Sequence, residues 1–273
     1  MGVTVGLDIG GSTTKIVGFA GDTMLREAHV RASNPVASAY GGLGSFLEEN
    51  KLSITSVDEI RVTGVGASFL SGDLLGRKTI LTAEFDAVGR GGLYLSNEDE
   101  AIVVSMGTGT SIVVARYGAV DHLIGSGVGG GTLVGLGRKM LNITDVDTIM
   151  QLAESGDLAY VDLSVGDISK EAIPGLPMDT TASNFGKLSD LASPSDIALG
   201  IVNMVFQAVA TSAVMAARCE NLKTIVFTGN LLQIHAGKDV LDKFSSLYDL
   251  SIQVPKFAEF GPAIGAALAG RYR

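Results

Sequence analysis

Asp8 and Lys15 bracket the stretch Asp-Ile-Gly-Gly-Ser-Thr-Thr-Lys, which closes an apolar segment over residues 3–7. Eight positions hold a carboxylate, two glycines (Gly10, Gly11), three hydroxyls (Ser12, Thr13, Thr14) and an ammonium group. A plain β-turn needs one glycine and one Asn or Asp at most. Glycines leave backbone N–H groups free to face a ligand, and with adjacent hydroxyls they form an anion nest. The chemistry this suits is phosphate binding. Asp8 would then position a magnesium ion through water, because magnesium keeps much of its hydration shell. Lys15 would balance phosphate charge. A second Gly/Thr turn stands in Ser-Met-Gly-Thr-Gly-Thr-Ser-Ile-Val at 105–113, and two opposed nests suit a chain of phosphates.

The elements that must position these groups follow from hydrophobic patterning. Residues 3–8 read as a strand, 14–20 as a second with a turn at Gly21 and Asp22, and 24–31 as a third. Helix is expected over 36–50, a strand over 60–64, a short helix near 66–73, a short strand over 79–81 and a helix over 84–96. The pattern then restarts: strand, Gly/Thr turn and strand over 101–118, and a third strand over 119–125. Helices are expected at 131–141 and 145–155. Residues 156–195 carry Pro174, Pro177 and Pro194 among many polar residues and read as irregular with short helices. A long helix rich in Ala, Val and Met follows over 196–219. After it come a strand over 224–229, a helix to about 243, a strand near 250–254 and a closing helix over 261–270. A meander with a polar turn therefore occurs twice, which implies two α/β halves, 1–98 and 99–273, with a ligand cleft between them.

Bulk properties bound the function. The chain has 273 residues, 46% hydrophobic and 18% charged, enough for a sizeable core. A net charge of −9 argues against nucleic acid or an anionic membrane surface as the main partner. Cys219 is the only cysteine, so disulfide frameworks and cysteine-based metal sites are excluded. No signal peptide is visible and no apolar run is expected to reach the ~18 residues of a membrane span, so a cytoplasmic location is expected.

Several segments resemble one family. Asp-Ile-Gly-Gly-Ser-Thr-Thr-Lys, the second Gly-Thr-Gly-Thr-Ser turn and a late Thr-Gly-Asn resemble the actin-like superfamily of sugar kinases and chaperone ATPases, whose halves have a ribonuclease H-like α/β fold. Residues 83–92 (AEFDAVGRGG), 125–137 (GSGVGGGTLVGLG), 142–157 and 181–187 (TASNFGK) are similar to the type II pantothenate kinases, over nearly the whole chain and in order. The resemblance implies ATP-dependent phosphorylation of the primary hydroxyl of pantothenate, the first step toward coenzyme A, by a homodimer built on a long helix, with ATP and Mg2+ as cofactors. It implies Glu84 as the catalytic base. Asp8, Gly10, Gly11, Ser12, Thr13, Thr14 and Lys15 would hold phosphates and magnesium. Thr108 and Gly130, Gly131, Thr132, Leu133 and Val134 would line the nucleotide site, with Asn230 beside the adenosine. Ser105 and Thr110 would lie near the acceptor. A dehydratase-activator ATPase of the same fold is disfavoured, since its intersubunit cluster needs more cysteines than one.

One residue departs from the family pattern. Three positions before Gly125 the family carries an arginine against the acceptor's carboxylate end, and here that position is His122. An imidazole is a weaker carboxylate partner than a bidentate guanidinium. A kinase of the same fold with another small hydroxylated acceptor, and a non-catalytic nucleotide or coenzyme A sensor, are the alternatives. Asp86 reads as a helix-start residue, His29 and His235 as surface histidines, and Cys219 as a buried small hydrophobe. The Met and Val positions over 202–215 read as core or dimer packing.

Overall fold

The computed structural model describes residues 2–11, 13–31, 34–171 and 173–270. Strands β1 (Val3–Ile9), β2 (Thr13–Ala20), β3 (Thr23–Met24) and β4 (Ala28–Arg31) are followed by helix α1 (Pro35–Glu49) and strands β5 (Val57–Thr63) and β6 (Thr79–Leu81). The third strand expected over 24–31 is thus two short strands, β3 and β4, each paired with β2. The short helix expected near 66–73 is a single 3-10 turn, Val65–Phe69. The first sheet runs β3-β2-β1-β5-β6, with β1 and β2 antiparallel and β5 and β6 parallel additions.

Helix α2 (Glu84–Ser96) leads into β7 (Glu100–Met106), β8 (Thr110–Arg116) and β9 (Ala119–Ser126), then α3 (Gly130–Leu141) and α4 (Val146–Ala153). A small excursion, β10 (Leu163–Ser164), α5 (Val165–Ile168) and β11 (Thr181–Ser183), precedes α6 (Pro194–Cys219). The chain closes with β12 (Thr224–Thr228), α7 (His235–Tyr248), β13 (Ser251–Gln253) and α8 (Gly261–Leu268). The second sheet runs β13-β12-β7-β8-β9. It repeats the plan of the first, an antiparallel meander extended by parallel strands on one side.

Local chemistry sets the helix starts. Asn34 caps α1 through its side-chain oxygen, which accepts from Ala37 N, and Pro35 occupies the first turn. Ser193 and Asp196 form a capping box on α6, again behind a proline. One apolar cluster joins β1, β5 and α1 through Val5, Leu7, Ile60, Leu43 and Phe46. A larger one lays α6 (Val202, Phe206, Val209) on the second sheet (Ile102, Val104, Phe227), with Leu133 and Ile149 from α3 and α4. Each such buried side chain contributes about 1.5–3 kcal/mol of transfer free energy.

Helix α6 is long and apolar enough to cross a membrane by length and composition alone, contrary to the sequence expectation, and 61% of its apolar window is buried inside the fold. Its hydropathy serves the core. It also anchors the excursion. The buried Asp162 carboxylate accepts from Asn203 Nδ2 on α6 at 2.6 Å and from Phe185 N at 2.8 Å. Cys219, expected to be buried, is exposed at the end of the helix, on the face away from the buried Ala216 and Ala217.

Two helices tie the halves together, and each packs on the sheet of the other half of the sequence. Val88 of α2 lies on Ala101, Val103, Val113 and Val226 of the second sheet. Ala263, Ile264 and Ala267 of α8 lie on Val17 and Phe19 of the first. The two helices pack against each other at backbone contact distance: a Cβ on Gly265 would overlap the Ala87 carbonyl, and one on Gly91 the Gly261 carbonyl. Gly265→Ala should therefore destabilise the fold by about 1–3 kcal/mol through overpacking. Helix propensity alone favours alanine by about 1 kcal/mol. The sign of the shift in the denaturant midpoint decides which effect governs the site.

Candidate active site

The end of β1 and the start of β2 form one wall of a cleft. In register, Asp8 pairs with Lys15, Lys15 with His29 on β4, and Thr13 with Arg31. Asp8, Gly10, Gly11, Thr13 and Lys15 line a cavity of about 1650 Å³ between the halves. Lys15 Nζ lies 3.8 Å from Asp8 Oδ2, and both side chains are mostly buried. Burial raises the Asp8 carboxyl above its ordinary 3.8, and the Lys15 charge opposes that shift. A buried carboxylate with one cation at this distance has room for more positive charge, which fits a hydrated magnesium ion. Thr14 points away: it is fully buried and its Oγ1 accepts from Ser38 Oγ at 2.6 Å. Strand alternation sends Thr13 and Lys15 to the cleft and Thr14 to the α1 side, so its side chain does not join the expected phosphate set. Ser12 lies outside the described residues.

The opposite wall is the β7–β8 turn packed on the start of α3. Thr108, Gly130, Gly131 and Val134 line the cavity, and so does Asn230 after β12. The Gly10 amide is not free as the nest reading expected, and those of Gly130 and Gly131 are engaged too. Gly10 N donates to Thr13 O, Gly130 N to Gly107 O and Gly131 N to Thr108 O, all at 2.8–2.9 Å. These bonds clamp the turns in shape. Thr132 works in the same frame, its hydroxyl donating to Gly127 O and accepting from Gly129 N. Leu133 is a core residue with no exposed surface; it supports the wall from behind.

Glu84 is the first residue of α2, and no side chain caps that helix start. It lines the cavity with Ser105 and Thr110; the Thr110 hydroxyl donates to Val128 O at 2.8 Å. Glu84 is exposed to the cleft, with the walls of the cavity around it. Burial first, and then the Asp8 charge, raise it above its ordinary 4.5. A carboxyl raised by burial and by a neighbouring carboxylate marks a site that suits proton transfer next to bound charge. Asp86 is held by Arg90 Nε at 2.8 Å, as expected of a helix-start residue. His122 does not line the cavity. Its ring stacks on Phe85, centroids 3.9 Å apart and 9° from parallel, next to Glu84 in the chain.

The cavity wall includes residues whose roles the sequence did not suggest. His29 and Arg31, on the cleft face of β4, line it, as do Asp145, Gln233 and Glu259. Arg31 reaches across the cleft to Asp147 of α4 at 3.3 Å. The alternation in Ala-His-Val-Arg placed His29 and Arg31 on one face, but only the pairing of β4 with β2 says which face meets the cleft.

Two sheets of one plan, coupled by a close helix pair across a cleft walled by small-residue turns, are the actin-like α/β architecture. The activator of 2-hydroxyisocaproyl-CoA dehydratase from Clostridium difficile with bound ADPNP shares it at TM-score 0.70 and 18% identity, over 98% of this chain and 93% of that one. A ROK family glucokinase from Streptomyces griseus in complex with glucose and AMPPNP does so at TM-score 0.63 and 11% identity, over 99% of each chain. The Fumble family model matches residues 39–248, and the chain belongs to that family. It is similar to the type II pantothenate kinase of Staphylococcus haemolyticus, 29% identical over 272 residues covering 96% of this chain and 98% of that protein. It is also 29% identical to the type II pantothenate kinase of Bacillus cereus over 280 residues, 97% of this chain and 96% of that protein.

Proposed function

We propose that this kinase transfers the γ-phosphoryl group of ATP to the primary hydroxyl of pantothenate, with Glu84 as general base. The observation that carries the reading is the placement of Glu84, on the first turn of α2 and in one cavity with Asp8, Lys15 and both Gly/Thr turns. Phosphoryl transfer needs little beyond alignment and charge neutralisation. The acceptor oxygen attacks the γ-phosphorus, its proton passes to Glu84, and the γ-phosphorus bond to the leaving oxygen of ADP breaks. Thr13, Lys15 and Thr108 hold the phosphates in line, while Val134 and Asn230 flank the adenosine. Asp8 would hold magnesium through water, and the bound ion supplies charge neutralisation at the phosphates. We read the active protein as a cytoplasmic homodimer whose interface includes α6, which light scattering coupled to gel filtration checks. The direct test incubates the pure protein with ATP, magnesium and pantothenate and follows phosphopantothenate by mass spectrometry; absence of product at millimolar pantothenate overturns the reading.

A second acceptor is favoured by one observation: His122 is stacked on Phe85 and offers no guanidinium to a carboxylate. If the acceptor is pantothenate, His122→Arg supplies a charge-assisted hydrogen bond, worth roughly 1.5–3 kcal/mol where fully formed. The longer guanidinium reaches past the stacked ring position, and with the bond partly formed the Michaelis constant for pantothenate should fall about 5- to 30-fold and that for ATP should stay within twofold. No gain with pantothenate, together with turnover of a neutral hydroxylated compound, assigns the site to that other acceptor.

A further inference from the structure

Two buried hydroxyls lack a partner, one in register with Asp8 and the other two residues before the proposed base. Among the described residues, Thr63 Oγ1 and Thr82 Oγ1 are the buried side-chain polar atoms without a hydrogen bond. Thr63 has no exposed surface and Thr82 is 6% exposed. Thr63 is the register partner of Asp8 across β1 and β5. Thr82 comes next in line, since it directly follows β6, where Leu81 pairs with Val62, and its N donates to Val62 O at 2.8 Å. Adjacent strands lie about 4.8 Å apart, so Lys15, Asp8, Thr63 and Thr82 form one row across four strands. Two residues later the chain enters α2 with Glu84.

Packing does not call for these hydroxyls. Valine has nearly the same shape, prefers strands and leaves no polar atom to satisfy. An unpaired buried hydroxyl is unfavourable, and buried polar groups in native folds are almost always bonded. Both orphans stand at the strand ends that deliver two carboxylates, Asp8 in register beside Thr63 and Glu84 two residues after Thr82. Hydrogen-bond donors are what such carboxylates need. The row also explains Gly64, which follows Thr63 at φ +87° and where a Cβ would come within 2.6 Å of Asp8 Oδ1. The same Cβ would meet the Ile9 carbonyl at 2.6 Å, so a larger residue there is excluded by backbone and carboxylate alike.

We propose that Thr63 and Thr82 are positioning residues for phosphoryl transfer: their hydroxyls donate to one ordered water, which donates its own two protons to Asp8 and to Glu84. Four hydrogen bonds fall within the 2–4 a buried water makes. Both hydroxyls gain a partner and the two carboxylates are held at a fixed separation, so that Glu84 meets the acceptor hydroxyl while Asp8 stays turned to the phosphates. The proposal rests on Glu84 being the base.

The test compares Thr63→Val and Thr82→Val with wild type in steady-state kinetics and thermal unfolding. Each should lower kcat about tenfold, the effect of about 1.4 kcal/mol on the barrier, while the Michaelis constant for ATP stays within twofold and the melting temperature does not fall. Thr63→Ser restores the hydroxyl and should restore kcat; it also serves if a valine variant does not fold. A crystal structure of the wild type should show a water within 3.2 Å of both hydroxyls. Valine variants with kcat within twofold of wild type, or a high-resolution structure without that water, overturn the proposal. Glu84→Gln is assayed alongside. If it remains active the base assignment has failed; if it is inactive while the valine variants match wild type, only the water bridge has failed.

Discussion

Glu84→Gln loses phosphorylation by about 10²–10⁴-fold, the usual range for removing a general base, while nucleotide binding and fold persist. The amide keeps the shape of the side chain and its place on the first turn of α2, but it cannot take the acceptor proton. Two further results follow from the environment of the carboxyl, which burial and the Asp8 charge hold above 4.5. In the wild type, activity should fall as pH drops through that raised value, because the base must be ionised to work. The stability effect has the opposite sense. A carboxyl whose folded value is raised contributes stability that is complete below 4.5 and lost as pH rises through the folded value. Ionised Glu84 therefore works against the fold at neutral pH, and Glu84→Gln should unfold at the same temperature as wild type or higher at pH 7. Activity within threefold of wild type removes Glu84 from the base role. A melting temperature several degrees lower would show that the side chain is structural.

Asp8→Asn lowers kcat/KM about 10- to 100-fold at limiting magnesium and raises the magnesium concentration needed for half-maximal rate. An amide offers no full negative charge to a hydrated cation, and the loss of one charged hydrogen-bonding partner is worth roughly 1.5–3 kcal/mol. Stability should move little. Burial disfavours the Asp8 carboxylate and Lys15 at 3.8 Å favours it, so the substitution removes two opposed effects at once. Magnesium titration of both proteins is the measurement. Coincident curves would make Asp8 a turn residue and leave the first Gly/Thr stretch without a metal-holding group.

The legible parts of the sequence were those where composition and spacing carry local physics. The alternation in β1 and β2, the helix over 84–96 and the long apolar α6 follow from side-chain periodicity, and they match the fold closely. The Asp8-to-Lys15 stretch, the Gly/Thr turn at 107–110 and the family resemblance located the cleft and most of its lining. The repeated meander announced two halves of one plan.

Tertiary structure decided what local periodicity does not encode. Alternation says that Thr13 and Thr14 face opposite ways; only the docking of α1 makes Thr14 the buried one, bonded to Ser38. Glycine-rich turns announce free amides, but the packing of α3 on the β7–β8 turn uses those of Gly130 and Gly131 to hold the turn itself. Helices α2 and α8 each lie on the sheet formed by the other half of the sequence, an arrangement set by long-range burial and by the missing Cβ atoms of Gly91 and Gly265. Asp8 and Glu84 are 76 residues apart in the chain, and the influence of Asp8 on Glu84 exists only because β1, β5 and β6 lie side by side and deliver both carboxylates to one end of the sheet. The sequence determined which chemistry the chain carries, because residue type and local spacing are local facts. The fold decided which of those groups meet, because meeting depends on contacts between segments that no local pattern records.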